Sequence, residues 1–455
     1  MKFLIIGAGD VGMTLSSNLS SHQHEVVLVE QDDSKVKNEL SGLDLQVVVG
    51  NGVSPETLVQ AGIEEADYVI AVTDVDEVNI AASFISRLLN PKPKRIARIR
   101  DLNLAHQQIP PELINEYFDL IINPEQAAAD YMMQLFRIPG AREIVEFEGG
   151  KIRVLGLGVS GQSALVNVRL DSLKDFQNEL PLLIVAVMRG AKLIVPRGAD
   201  RIKVGDVIYA VTVPEKTKLL FELAGKPWHH SRSAMIWGDL GLGRPLALAL
   251  EEQGTALKFI VSDQNTATQL SADLKEALIL KGDGTDQNLL LQENIDQIDA
   301  FIAASNDDES NVLAALLAKK LGAKTTMALV NKSGYLPIVS AIGVDVVISS
   351  RVAAATAIFR HIHSRSIISE SALQHEGAGF IEINAAAGSP LLNVAIKDLK
   401  LPYGILIAAI IRQKEAIIPT GEDIIQAGDR VVIFLLKSAL KKLEKLLGLK
   451  LELFG

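Results

Sequence analysis

The chain has 455 residues, 48% of them hydrophobic and 22% charged, so it is too long for one core and too apolar to be disordered. A net charge of −10 without any Lys/Arg block argues against a nucleic-acid partner, because nucleic-acid phosphates attract clustered cations. With no cysteine, a disulfide scaffold, a thiol nucleophile and a zinc–thiolate site are excluded, and no wholly apolar run is longer than Ile405 to Ile411, far short of the roughly 20 residues that span a bilayer.

The chain opens on Phe3-Leu-Ile-Ile6, a run expected to be a buried parallel strand, with no signal-peptide pattern. Gly7-Ala8-Gly9-Asp10-Val11-Gly12 follows at once, and Met13 to Leu19 reads as a helix. That is G-x-G-x-x-G between strand and helix, the context a dinucleotide site requires. Gly7 permits the tight turn, Gly9 lets a pyrophosphate approach the backbone, and Gly12 lets the helix pack on the strand. Exposed N–H groups and the helix dipole then favour the phosphates. The next strand, Val26-Val-Leu-Val29, ends on Glu30, placed to accept from ribose hydroxyls and to repel a 2′-phosphate. NAD(H) is therefore favoured over NADP(H).

Further along, the chain repeats itself. Val47-Val-Val-Gly-Asn-Gly52 recurs as Ile279-Leu-Lys-Gly-Asp-Gly284, and Asp67 to Asn79 recurs as Asp299 to Asn311 (50 to 282 and 67 to 299, an offset of 232). The glycine turn returns in Trp237-Gly-Asp-Leu-Gly-Leu-Gly243. The intervening segments also correspond, most clearly Val195-Pro-Arg-Gly-Ala-Asp to Gly205-Asp206 with Ile418-Pro-Thr-Gly-Glu-Asp to Gly428-Asp429. Each Gly-Asp turn precedes an apolar strand and a charged helix, Glu215 to Leu223 and Lys437 to Leu447. The plan is α/β, with two Rossmann-like parallel-sheet domains (1–123 and 231–350) alternating with two small α+β domains (143–227 and 369–454). The polar, turn-prone stretch Gly225 to Ser233 is expected to separate the halves.

No group for hydride chemistry stands out. The histidines, 22, 24, 106, 229, 230, 361, 363 and 375, are scattered and none recurs in the repeat, so they are read as surface or packing residues. No H-E-x-x-H, G-x-S-x-G or Walker lysine motif is present. The acids Asp76-Glu77 and Asp307-Asp308-Glu309 sit where a helix start explains them, and no metal site is expected. An NAD-dependent oxidoreductase is the alternative that turnover of NADH would reveal.

The A-B-A′-B′ order resembles the family of duplicated RCK (KTN) regulatory subunits of Trk-type potassium uptake systems, over essentially the whole chain. Besides the glycine loop, the resemblance is carried by Gly62-Ile-Glu-Glu-Ala-Asp67, Thr73-Asp-Val-Asp-Glu-Val-Asn79, Arg95-Ile-Ala-Arg98, Ile122-Asn-Pro-Glu125 and the Pro-Gly-Asp pattern of the smaller units. It implies a non-enzymatic, peripheral protein on the cytoplasmic face of the membrane. That protein would be a homo-oligomeric, tetrameric ring docked on a TrkH-type potassium-translocating subunit. It also implies binding of NAD(H), or of ATP or ADP in the same cleft. Carried over residue by residue, Gly7, Ala8, Gly9, Asp10 and Val11 surround the pyrophosphate and Glu30 holds the ribose. Gly50 and Asn51 lie beside the adenosine, where the family often has Asp at 51. Thr73 and Asp74 end the fourth strand and line the cleft, and Arg98 pairs with phosphate. In the second copy Leu240 replaces Gly9, Ser262 is expected opposite Glu30, and Leu329 replaces Arg98. That copy is read as degenerate; if it does bind, Gly238, Asp239, Leu240, Gly241, Leu242 and Ser262 are its candidate contacts. An RCK-type sensor serving another transporter is the second alternative.

Overall fold

The computed structural model describes residues 1–21, 24–34, 45–100, 111–176, 181–190, 192–226, 228, 231–362, 367–373, 377–386, 388–413 and 415–447. Of the histidines, His22, His106, His229, His230, His363 and His375 lie outside the described residues, as does part of the Gly225 to Ser233 stretch. The chain forms two compact units.

The first unit, residues 1–131 with 348–362, is built on β1 (Lys2–Ile6), α1 (Asp10–Ser21), β2 (Glu25–Glu30), β3 (Gln46–Val49), α2 (Pro55–Gln60), β4 (Tyr68–Ala71), α3 (Asp76–Leu89), β5 (Lys94–Arg98), α4 (Pro111–Tyr117) and β6 (Leu120–Ile122). Helix α5 (Pro124–Arg137) leads out of it. The strands form a six-stranded sheet in the order β3-β2-β1-β4-β5-β6, parallel throughout. The strands are near-continuous apolar runs because both faces are covered. Leu4, Ile6, Val27, Val29, Val69 and Ala71 face one core, while Phe3, Ile5, Leu28 and Ile70 face another with Leu15 and Leu19 of α1. The order reverses between β1 and β4, which opens a crevice at the carboxyl ends of those strands.

The second unit, residues 132–347 with 363–454, holds the remaining three sheets. An antiparallel sheet, β10-β9-β11-β8-β7, comes from β7 (Ala141–Phe147), β8 (Ile152–Gly158), β9 (Leu183–Arg189), β10 (Lys192–Ile194) and β11 (Val207–Thr212), followed by α6 (Thr217–Leu223). A second parallel sheet, β14-β13-β12-β15-β16-β17, comes from β12 (Ser233–Gly238), α7 (Gly243–Glu252), β13 (Ala256–Val261), α8 (Gln264–Asp273), β14 (Leu278–Lys281), α9 (Gln287–Gln292), β15 (Ala300–Ala304), α10 (Asp308–Lys320), β16 (Thr325–Leu329), α11 (Leu336–Ile342) and β17 (Val346–Ile348). Helix α12 (Ser350–Ile362) then belongs to the first unit. The last sheet, β18-β19-β22-β20-β21, comes from β18 (Ile367–Ala372), β19 (Ala378–Asn384), β20 (Ile405–Arg412), β21 (Glu415–Ile417) and β22 (Arg430–Leu436), with α13 (Leu440–Leu447) after it.

The repeat therefore holds at the level of strand order, parallel sheet with parallel sheet and antiparallel with antiparallel. The two antiparallel sheets share one core, in which Phe147 packs edge-on against Phe380 and Phe380 against Phe434. Each Gly-Asp turn has a structural reason. Gly205 and Gly428 adopt positive φ (84° and 87°), and the following aspartates are buried. Asp206 accepts from Arg189 Nε and Nη2 at 2.8 and 2.7 Å and from the Lys203 N–H; Asp429 accepts from Arg412 Nε and Nη2 at 2.9 and 2.7 Å and from the Gln426 N–H.

Candidate nucleotide-binding site

The glycine loop joins β1 to α1, and its three glycines are held to glycine for different reasons. Gly7 has φ +105°, and a Cβ there would press on Thr73 at 3.0 Å. A Cβ on Gly12 would overlap the Gly7 carbonyl oxygen, so only glycine lets α1 approach β1 this closely. Gly9 differs: its nearest neighbour to a built Cβ is Asp74 Oδ2 at 3.9 Å. The backbone is thus open at the one position where a pyrophosphate needs to approach it.

Glu30 ends β2 and is 8% exposed. Its Oε2 accepts from the Ala8 N–H at 2.8 Å, and its Oε1 accepts from the N–H groups of Gln31 (2.8 Å) and Asp32 (3.0 Å). The carboxylate is therefore fixed against the glycine loop, with lone pairs left over for sugar hydroxyls. Gly50 follows β3, its N–H bonded to the Glu30 carbonyl at 2.9 Å, and is packed against Thr57. Asn51 is exposed, and its side-chain oxygen accepts from the Val53 N–H in a local turn.

Thr73 and Asp74 lie just past β4, in the loop to α3 rather than at the strand's end. Asn79 of α3, fully buried, organises this corner. It accepts from the Thr73 N–H and Oγ1 (2.8 Å each) and donates to the carbonyls of Thr73 and Arg98 (2.9 Å each). Arg98, at the end of β5 and 7% exposed, donates through Nη1 to Asp74 Oδ1 at 2.8 Å, while its buried Nε has no partner among the described residues. Arg100 lies near, with Nη2 3.8 Å from Asp74 Oδ1 and Nε 3.4 Å from Glu125 Oε1. Asp10, the first residue of α1, pairs with Arg351 of α12. The crevice thus gathers Gly7 to Gly12, Glu30, Gly50, Asn51, Thr73, Asp74 and Arg98 along the carboxyl edge of one sheet. Sequence reading did not single out Asn79, Arg100 and Arg351. Asn79 was visible only as part of the repeated Thr/Ser-x₅-Asn pattern.

Neither described histidine offers an acid–base group to this crevice. His24 packs against Phe3, with ring centroids 5.1 Å apart. His361 is on α12, where burial, with Lys94 nearby, pushes its imidazole below the usual value. Of the acids read as helix starters, one caps its helix in the second copy and the next ties the helix start to the loop after β16. Asp307 caps α10 by accepting from the Ser310 N–H at 2.7 Å, and Asp308 accepts from the N–H groups of Asn331 and Lys332. Among the described residues no cluster of acids and histidines is arranged to hold a metal.

The second crevice is built differently. Strand register pairs Phe3 with Val26 and Ala234 with Leu257, so Glu30 corresponds to Val261 and not to Ser262. The hydrogen bonds agree: Gly50 N–H meets the Glu30 carbonyl, and Gly282 N–H meets that of Val261. The expected alignment slipped because the second copy carries one extra residue between β13 and β14. Ser262 is exposed, and neighbouring Asp263 is engaged as the cap of α8. Asp239 Oδ1 takes the Gly241 N–H at 2.9 Å, a donor that would otherwise face a phosphate. Helix α7 starts only at Gly243, and buried Leu242 precedes it. Leu329 stands where Arg98 does, since Asn311 bonds its carbonyl as Asn79 bonds that of Arg98. Trp237 occupies the place of Ile6, so a Cβ on Gly284 would overlap its ring, as one on Gly52 would overlap Ile6.

Two parallel sheets with glycine-loop crevices, each followed by an antiparallel sheet, define a tandem nucleotide-binding-fold protein of the RCK type. Comparison with known proteins agrees. The TrkA-N domain model matches residues 3–108 and 235–350, and the TrkA-C domain model matches residues 380–448. The chain is 31% identical over 100% of its length and of the relative's to the Trk system potassium uptake protein TrkA of Azorhizobium caulinodans. It is 33% identical to the protein of the same name from Vibrio alginolyticus, covering 96% of each. Among solved structures, the GsuK channel bound to NAD is similar in fold, with a TM-score of 0.60 at 19% identity over 98% of this chain and 78% of that one. The chain belongs to the TrkA family of Trk potassium uptake proteins. Among the described residues no helix is long and apolar enough to cross a membrane.

Proposed function

We propose that this chain is the nucleotide-sensing regulatory subunit of a Trk-type potassium uptake system. In this reading it binds NAD(H), or ATP or ADP, in the first crevice without transforming it. Occupancy then regulates a TrkH-type membrane subunit on which the protein docks, from the cytoplasmic side, as a tetrameric ring. The observation that carries the reading is the combination at Gly9 and Glu30: a backbone position open to a pyrophosphate, beside a carboxylate fixed for a ribose. Full-length similarity to proteins named for potassium uptake supports the physiological setting, and the NAD-bound GsuK channel supports the ligand class. The non-enzymatic part of the proposal rests on the sequence, in which no group for hydride chemistry stands out, and on His24, which packs against Phe3. The second crevice is assigned a structural role, because Val261, Leu240 and Leu329 stand where the first has Glu30, Gly9 and Arg98.

Potassium uptake into vesicles carrying the membrane subunit tests this reading. Added full-length protein should change the rate in a manner that depends on NADH, ATP or ADP, and a Gly9→Val variant should have lost that dependence. Flux indifferent to the protein would refute the regulatory role. Steady consumption of NADH by the purified chain would instead favour the oxidoreductase.

A further inference from the structure

Arg351 lies on the first turn of α12, close to the glycine loop in space though about 340 positions later in sequence (351 against 10). The helix behind it is firmly seated. Ala354, Ala355, Ile358 and Ile362 are buried in the core that contains Leu15 and Leu19 of α1, and the Tyr68 hydroxyl donates to the Ile362 carbonyl at 3.3 Å. Packing therefore delivers the Arg351 guanidinium to Asp10. That ion pair is weakly held, since Asp10 is 58% exposed, and exposed pairs are readily exchanged. Across the loop Arg98 shows a similar arrangement: its guanidinium rests on Asp74, and its buried Nε has no partner among the described residues. Two arginines held by aspartates thus flank Gly9.

The repeat gives a second argument. Strand β6 ends at Ile122 and β17 at Ile348, so Arg351 corresponds to Glu125 (348 to 122 and 351 to 125, an offset of 226). The charge at this helix start is reversed between the halves, and Glu125 serves Arg100 instead. A purely structural helix start would favour the acid. A cation there is unfavourable for its own helix, which a ligand role at the glycine loop would explain.

We infer that Arg351 is a phosphate-responsive latch on the first nucleotide crevice. When a nucleotide pyrophosphate sits against Gly9, Arg351 leaves Asp10 for the phosphate oxygens, which offer more charge and a two-point geometry. Residue 351 is only three positions beyond the end of β17, so the exchange links ligand occupancy to the second parallel sheet through the chain itself. The inference rests on the reading of the first crevice as a nucleotide site, and it names how that site reports being filled.

The test is NADH titration of the full-length protein by calorimetry, with amide hydrogen exchange read over residues 346–354. The wild type should bind and show altered exchange there. Arg351→Gln should bind about tenfold more weakly and lose the exchange change, while its thermal unfolding stays unaltered. Arg351→Lys should recover part of the affinity, and Asp10→Asn, which releases the guanidinium, should bind more tightly than wild type. Wild-type affinity and an unchanged exchange footprint in Arg351→Gln would overturn the latch alone. If the wild type binds none of NADH, ATP and ADP in the same titration, or Gly9→Val binds as wild type does, the crevice reading falls and the latch with it.

Discussion

At the residue scale, the three glycines of the loop separate what the fold needs from what a ligand needs. Gly12→Ala is expected to destabilise the protein by about 3 kcal/mol or more, because its Cβ meets a backbone carbonyl that cannot rotate away. Gly9→Val has room in the crevice, so chemical denaturation should find its stability near wild type while nucleotide binding is lost. Asn79→Ala should cost about 2–4 kcal/mol, since it strands the half-buried Thr73 N–H and the buried Arg98 carbonyl. It should also weaken ligand binding by loosening Thr73 and Arg98, which denaturation and titration of the same variant would separate. The glycine spacing was legible in the sequence because each glycine answers a local geometric demand. Arg100 and Arg351 were not, because their roles arise only where separate segments meet, and Asn79 showed only as the last residue of a repeated pattern, without its bond to the Arg98 carbonyl. Glu30 was legible as an acid at a strand end, but its counterpart in the second copy was misplaced by one. A single inserted residue after β13 leaves the strand pattern intact while shifting the count.

At the element scale, the antiparallel sheets are fastened by the paired turns at Gly205-Asp206 and Gly428-Asp429. Burial pushes the Asp206 carboxyl up, but the Arg189 guanidinium and the Lys203 N–H outweigh it and hold the group below its ordinary 3.8. Asp429, with Arg412 and Gln426, behaves in the same way. A carboxyl depressed on folding contributes stability that is present above its unfolded value and lost as pH falls through the folded one. Asp206→Asn should therefore lower stability at neutral pH by about 2–3 kcal/mol, and it should remove part of the loss seen below pH 3.8. Urea unfolding at pH 7 and pH 3 checks both statements. These turns were visible in the sequence as a recurring motif, yet their partners, Arg189 and Arg412, were not. The arginines sit 17 residues upstream on a strand that pairs antiparallel with the next. The element boundaries moved by a few residues for ordinary reasons: α1 begins at Asp10 rather than Met13, since the glycine loop itself supplies the first turn.

At the scale of the whole molecule, duplication has produced two sheets of one topology and two crevices of unequal chemistry. The first keeps an open Gly9, a fixed Glu30 and a buried Arg98. The second has filled the same places with Leu240, Val261 and Leu329, and its Asp239 caps its own loop. If the first crevice is the nucleotide site proposed above and apolar side chains replace its counterparts in the second, the protein is expected to bind one ligand per chain. The measurement that bears most directly on this account is calorimetric titration of NADH into the full-length protein beside its Gly9→Val variant. The account predicts one site per chain for the wild type and none for a variant that unfolds at the wild-type temperature. Two equivalent sites, or undiminished binding by the folded variant, would contradict it.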